Sequence, residues 1–189
     1  MARADGDVDL LLVGERAALG PLRSDLARTY ARWWNDMEVR RGLSTLDVWT
    51  DAAAEKWVAE AGGLVAEKDP DAAHFTIYAA GDLEPVGTLA LMKIDHRNRR
   101  ADFGILLGTR RGEGIGTDAT RLALRWAFEV VGLENVILTV LPSNPAGIAA
   151  YEKAGFRLVG RRRRAAATMD GCQDEILMDA VPGDLPTDG

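Results

Sequence analysis

Arg111-Gly112-Glu113-Gly114-Ile115-Gly116 is the stretch of this chain whose residue types and spacing suit it best to hold a ligand. It lies between Ala101–Gly108, an apolar run of strand length, and a segment from Thr117 to Val131 in which Ala119, Leu122, Ala123, Trp126 and Val130 recur at helical spacing. Glycines at alternate positions let the backbone turn sharply and point successive N–H groups the same way. At the mouth of a helix those groups, with the helix dipole, form a site for a phosphate or pyrophosphate. Two well-known glycine loops do not fit. In the dinucleotide register Gly-x-Gly-x-x-Gly, Thr117 occupies the slot of the third glycine, and the preceding chain does not alternate strand and helix. A nucleotide P-loop needs G-x-x-x-x-G-K-[ST], which the sequence lacks. A plain strand-to-helix turn is the remaining alternative.

A second segment decides between them. Some thirty residues further on comes Leu138-Thr139-Val140-Leu141-Pro142-Ser143-Asn144-Pro145, followed by a short helical stretch closing on Tyr151-Glu152-Lys153-Ala154-Gly155-Phe156. The first loop has the pattern [Q/R]-x-x-G-x-[G/A], and the second segment reads V-x-x-x-N followed by Y-x-K-x-G-F. Together, in this order and at this separation, they resemble the acyl-CoA loop and the second motif of the GNAT superfamily of N-acetyltransferases. The resemblance covers roughly residues 75–181. The segment Arg32-Trp33-Trp34-Asn35-Asp36-Met37-Glu38-Val39 is similar to the W-x-N-D-x-x-V segment of the branch that holds ribosomal-protein N-terminal and spermidine acetyltransferases.

The resemblance implies acetyl-CoA as acyl donor. Its pyrophosphate would rest on backbone N–H groups of Arg111, Gly112, Gly114, Ile115, Gly116 and Thr117, and its pantetheine arm would pair like an added strand with Ile105 and Leu107. Asn144 would hydrogen-bond the arm; Asn before Pro is also a preferred helix N-cap, and the two roles are compatible. Tyr151 would serve the departing CoA thiolate, because a phenol with a pKa of about 10 can donate a proton or a hydrogen bond at neutral pH. The base that takes the amine's proton stays open among Asp95, His96, Asp102, Asp36 and Glu38, or an ordered water. For the acceptor, the resemblance points to Trp34, Asp36, Glu38, His96 and Asp102, with the tryptophans walling a pocket and the acids holding a cation. The plainer alternative packs a tryptophan in the core and leaves the acids in water.

The expected reaction is direct attack of a primary amine on the thioester. The acceptor is a small molecule such as an antibiotic, its precursor or a polyamine, or a protein N-terminus; a non-catalytic CoA-binding regulatory domain is the rival from another class. The net charge of −6 suits an amine and argues against nucleic acid. Of the run Arg161–Arg164, alternation along a strand lets at most two side chains face any site. A single cysteine, Cys172, excludes an internal disulfide, no His/Cys spacing suggests a metal, and no apolar run approaches the ~20 residues that span a membrane. The chain reads as cytoplasmic, and a homodimer is left open.

The elements that would position these residues are a single α/β domain over 8–181, with flanks 1–7 and 182–189 expected to be mobile. Short strands flank Gly14, and Ser24 or Asp25 caps a helix carrying Leu26, Tyr30, Trp33 and Trp34. Thr50-Asp51 opens a second helix running to about Ala66. Strands follow over 74–80, 86–94 and 99–107, then the glycine loop, its helix, a strand over 135–141, the Asn144–Gly155 helix, and a closing hairpin across Asp170-Gly171. The resemblance implies a mixed, mostly antiparallel sheet, splayed between its fourth and fifth strands, with helices on both faces.

Overall fold

Continuous runs of buried residues along the central strands, such as Phe75–Ala79 and Val86–Leu91, give one sheet two buried faces, and each face recruits its own helices. The computed structural model describes residues 8–43, 47–63, 70–169 and 171–186. The strands are β1 (Leu12–Val13), β2 (Ala17–Pro21), β3 (Ala73–Ala79), β4 (Pro85–Asp95), β5 (Arg100–Leu107), β6 (Asn135–Val140), β7 (Arg157–Thr168) and β8 (Gly171–Ala180). They form one sheet in the order β1-β2-β3-β4-β5-β6-β8-β7. Every neighbouring pair is antiparallel except β5–β6. The helices are α1 (Ala27–Asn35), α2 (Met37–Arg41), α3 (Asp51–Gly63), α4 (Ile115–Arg125) and α5 (Pro145–Ala154). None is long and apolar enough to cross a membrane.

Successive side chains of a strand point to opposite faces, and β5 shows the consequence. Phe103 enters the larger core with Leu89, Leu91 and the inner face of α4, while Leu106 joins Tyr30, Trp33 and Val58 of α1 and α3 on the other side. The second core is aromatic. Tyr30 meets Trp57 edge-on at 5.7 Å, Trp57 meets Trp49 edge-on at 5.5 Å, and Trp49 stacks on Trp34 at 5.2 Å.

Four local expectations change. Neither Ser24 nor Asp25 caps α1: residues Ser24–Leu26 form a 3-10 turn without a side-chain cap, and the Asp25 carboxylate is held by the Arg23 guanidinium at 2.6 and 2.9 Å. The helix after the glycine loop changes to a π-turn at Trp126–Val131. The wider turn shifts the helical phase by a residue, so Ala127 and Phe128 are buried while Val130 is 67% exposed. Counted in chain order, the sheet opens between the fifth and sixth strands, because the two-residue β1 adds one to the count. Lastly, Pro182–Leu185 is packed rather than part of a mobile tail: Pro182–Asp184 is a 3-10 turn, Asp184 pairs with Arg157, and Leu185 lies against the main core. The end of the second helix beyond Gly63, Asp170 and the terminal residues 1–7 and 187–189 lie outside the described residues.

The end of β5 is fixed in height by a close approach. A Cβ on Gly108 would fall 2.1 Å from the Trp33 ring, so α1 rests directly on the backbone that enters the glycine loop. Gly108→Ala should therefore lower unfolding free energy by about 1–3 kcal/mol through overpacking. Urea denaturation would show it, and a midpoint equal to wild type would mean that Trp33 does not bear on this strand.

Candidate functional site

The parallel pair β5–β6 is joined only at Arg100–Asp102 against Asn135–Ile137, after which the strands part. Which backbone groups this exposes follows from the partner on the other side. Gly108 N–H donates to Val86 O, and in an antiparallel ladder the bonded pairs alternate. The N–H and C=O groups of residues 104 and 106 therefore face β4, and those of 103, 105 and 107 face the gap. The amides of Glu134 and Asn135 donate to Arg99 O, which agrees with that parity. Ile105 and Leu107 thus stand at an open strand edge, where an extended chain could hydrogen-bond.

A cleft of about 210 Å³ occupies the gap. Phe103, Gly104 and Ile105 line one wall, Thr139, Val140 and Leu141 the other, and Gly42 and Leu43, just after α2, close over it with Asn144, Tyr151 and Glu175. Asn144 and Tyr151 are seven residues apart on α5, two turns along one face. Asn144 caps the helix, its Oδ1 accepting the Gly147 N–H at 2.9 Å, and the same side chain borders the cleft. Tyr151 is wedged edge-on between Phe103 at 6.3 Å and Phe156 at 5.9 Å. Burial alone pushes its phenol up to about 12.

The glycine loop runs from the end of β5 into α4. Arg110, Gly112 and Gly114 have φ of 52°, 85° and 81°, and Gly114 is the left-handed N-cap of α4. No side chain caps this helix. Asp118 N–H bonds to Gly114 O as the first helical bond, so the preceding N–H groups of Ile115, Gly116 and Thr117 have no partner within the helix. The arginines of the loop are held by neighbouring acids and carbonyls. Arg110 pairs with Asp82, Glu84 and Glu113. The Arg111 guanidinium donates to Leu107 O at 2.9 Å and meets Glu38 at 3.0 Å. The Asp118 carboxylate accepts the backbone N–H groups of Arg16 and Ala17 at 2.8 and 2.9 Å, anchoring the first turn of α4 to the β1–β2 turn.

The residues expected for the acceptor are not brought to the cleft lining. Asp36 is the N-cap of α2, with its Oδ1 accepting from Glu38 N–H at 2.7 Å and Val39 N–H at 3.3 Å. Asn35 grips Trp49 through both its N–H and its C=O. Trp34 lies in the aromatic stack, and Glu38 is paired with Arg111. Thus the Trp-Asn-Asp segment is used as scaffold: it closes the aromatic core and starts the helix whose end covers the cleft. Asp102 is paired with Lys93 at 2.7 Å. Asp95 ends β4 and His96 opens the turn to β5, at the opposite end of β5 from the glycine loop; Asp95 accepts from Asn98, and the His96 ring bonds Pro70 O at 3.0 Å.

Glu175 was missed from the sequence. It reaches the cleft from β8, paired with Arg162 directly opposite on β7. Two irregularities in the β7–β8 register decide which residues of the arginine run face which acids. Arg161 meets Asp174 at 2.8 Å instead, and no residue type signals those irregularities.

A family model described as an acetyltransferase (GNAT) domain matches residues 16–157. The spermidine N(1)-acetyltransferase of Escherichia coli K12 is 30% identical over 124 residues, spanning 65% of this chain and 66% of that protein, just under two thirds of its length. Among solved structures, spermidine N-acetyltransferase from Vibrio cholerae in complex with CoA and spermine superposes with a TM-score of 0.80 at 19% identity, covering 89% of this chain and 97% of that one. Mycobacterium smegmatis RimJ in complex with CoA-disulfide gives 0.76 at 26% identity, covering 90% and 84%.

If Asp36 acts as a cap, Asp36→Ala should cost about 1 kcal/mol of stability while Asp36→Asn keeps most of it. Paired urea melts would test this; equal stability of wild type and Asp36→Ala would remove the capping role.

Proposed function

The chain belongs to the GNAT acetyltransferase family, and from that premise we propose that it transfers an acetyl group from acetyl-CoA to a primary amine by direct attack on the thioester. The observation that carries this reading is the placement of the Tyr151 phenol and Asn144 in one cleft beside the open edge of β5. The pantetheine arm pairs with the backbone of Ile105 and Leu107, with Asn144 supporting it from α5. The pyrophosphate sits on the N–H groups of Gly112 to Thr117, where the helix dipole adds to the attraction. Arg111 now bonds Leu107 O, so an arm that pairs with that carbonyl displaces the guanidinium, freeing it for the phosphates.

Tyr151 stabilises the leaving group. A phenol held near 12 cannot easily hand a full proton to a thiolate whose own pKa is about 8.5. It can donate a hydrogen bond throughout the step, and this bond strengthens as negative charge gathers on sulfur. Tyr151 is therefore read as a hydrogen-bond donor to the departing thiolate. A pure CoA-binding module has no use for such a donor at the sulfur end of the cofactor.

A cationic acceptor of the polyamine class is the substrate favoured here, on the likeness to the E. coli spermidine acetyltransferase. Thiol release and mass shift across a panel of polyamines, monoamines and short peptides would test the reading; no transfer to any acceptor, with acetyl-CoA still bound, would favour a binding module.

Tyr151→Phe should lower kcat by about 10²-fold or more while leaving acetyl-CoA affinity nearly unchanged. Because the phenol stays protonated, wild-type turnover should rise with pH as the acceptor loses its proton. It should show no fall attributable to Tyr151 below about pH 10. Equal kcat for the two proteins would remove Tyr151 from the chemistry.

A further inference from the structure

Among the described residues that line the cleft, Glu175 is the only carboxylate. Its side chain is 12% exposed, whereas that of its partner Arg162 is 58% exposed. A carboxylate so far withdrawn from water needs a cation beside it. The cation it has comes from the outermost strand of the sheet, on a long stem whose flank is in solvent. The other acids near the site are engaged elsewhere: Asp36 in a helix cap, Glu38 with Arg111 and Asp102 with Lys93.

We propose that Glu175 receives the amino group of the acceptor, and that Arg162 balances its charge until the incoming ammonium replaces the guanidinium. This rests on the acetyl-transfer reading above and names the part of that site that selects a cation. Arg162 is then an internal competitor of the substrate: it keeps the cleft electrically neutral when empty and swings toward water when an amine arrives. In the transfer step the neutral amine attacks the carbonyl carbon, the C–N bond forms and the C–S bond breaks. Nitrogen sheds two protons in all: one passes to the Glu175 carboxylate and on to water as the bound ammonium becomes the attacking amine, and the second leaves by the same route once the C–N bond has formed. CoA leaves as a thiolate hydrogen-bonded by Tyr151 and takes its proton from solvent.

The test compares wild type, Glu175→Gln, Arg162→Gln and Arg162→Lys, using acetyl-CoA with spermidine, a monoamine and a short peptide amine. Calorimetry of CoA binding provides the activity-independent control. Glu175→Gln should lose at least about 10²-fold in kcat/KM with CoA affinity intact. Arg162→Gln should lower KM for the cationic acceptor severalfold at similar kcat, and Arg162→Lys should resemble wild type. A pair serving only to hold the two strands together would not lower KM when its arginine is removed. Should Glu175→Gln fail to fold, Glu175→Asp keeps the charge but withdraws it by one methylene, and is expected to raise acceptor KM. An active wild type whose kcat/KM survives Glu175→Gln overturns this assignment alone, as does a raised KM in Arg162→Gln. A wild type silent with every amine overturns the acetyl-transfer reading and this inference with it.

Discussion

The parting of β5 from β6 is the constraint on which the rest depends. A parallel pair that bonds over three residues and then diverges leaves a row of backbone donors and acceptors without sheet partners. Such an edge persists only where something prevents the strands from closing. Beside the gap, Tyr151 packs edge-on against Phe103 from β5 and Phe156 at the end of its own helix. The same residue lines the cleft, where the reading proposed above uses its phenol as the donor. The gap is also covered from the other face of the sheet by the end of α2, whose start is fixed by Asp36.

Charge is distributed around the gap in a way that separates two kinds of recognition. The loop at the end of β5 carries Arg110 and Arg111, yet both guanidiniums are neutralised by neighbouring acids. What the loop offers an anion is backbone: the unpaired N–H groups of the first turn of α4, exposed by glycines that tolerate positive φ. An acidic protein with a net charge of −6 can hold a phosphate in this manner because the attraction is local and directional. At the other end of the cleft the charge is negative and comes from a side chain, Glu175.

This division explains what could be read from the sequence. Backbone recognition leaves a trace in composition: the left-handed turn and the bare helix start require glycine, so Gly112 and Gly114 mark the loop without any structure. Asn144 and Tyr151 were legible through the resemblance of the Asn144–Phe156 segment to the second GNAT motif, and the structure sets them two turns apart on one helix. The strands were legible as apolar runs bounded by turn residues. The acceptor end was not. Asp36 and Glu38 look like substrate ligands because they are acids beside tryptophans, but Asp36 lies two and three residues before free helical N–H groups and caps them, and Glu38 is taken by Arg111. Glu175 depends on the pairing of β7 with β8 and on register shifts within it, which no local pattern announces. The π-turn after Arg125 was hidden likewise, since a one-residue phase slip leaves the apolar count unchanged.

The same reasoning bears on how such a site can change its substrate. The cofactor end is built from backbone geometry, and altering it means changing glycines that fix the turn and the helix start. The acceptor contact proposed above, Glu175, stands on the outermost hairpin, β7–β8, where most residues of β7 are exposed and pack against little. Substitutions there cost little stability, and a shift of one residue in strand pairing would turn a different side chain inward. On the proposed reading, acceptor choice would lie on the element least constrained by the core, while the thioester and its leaving group would be anchored by β5 and α5. If that proposal holds, substitutions on this hairpin would exchange one amine for another without disturbing the residues proposed for thioester cleavage.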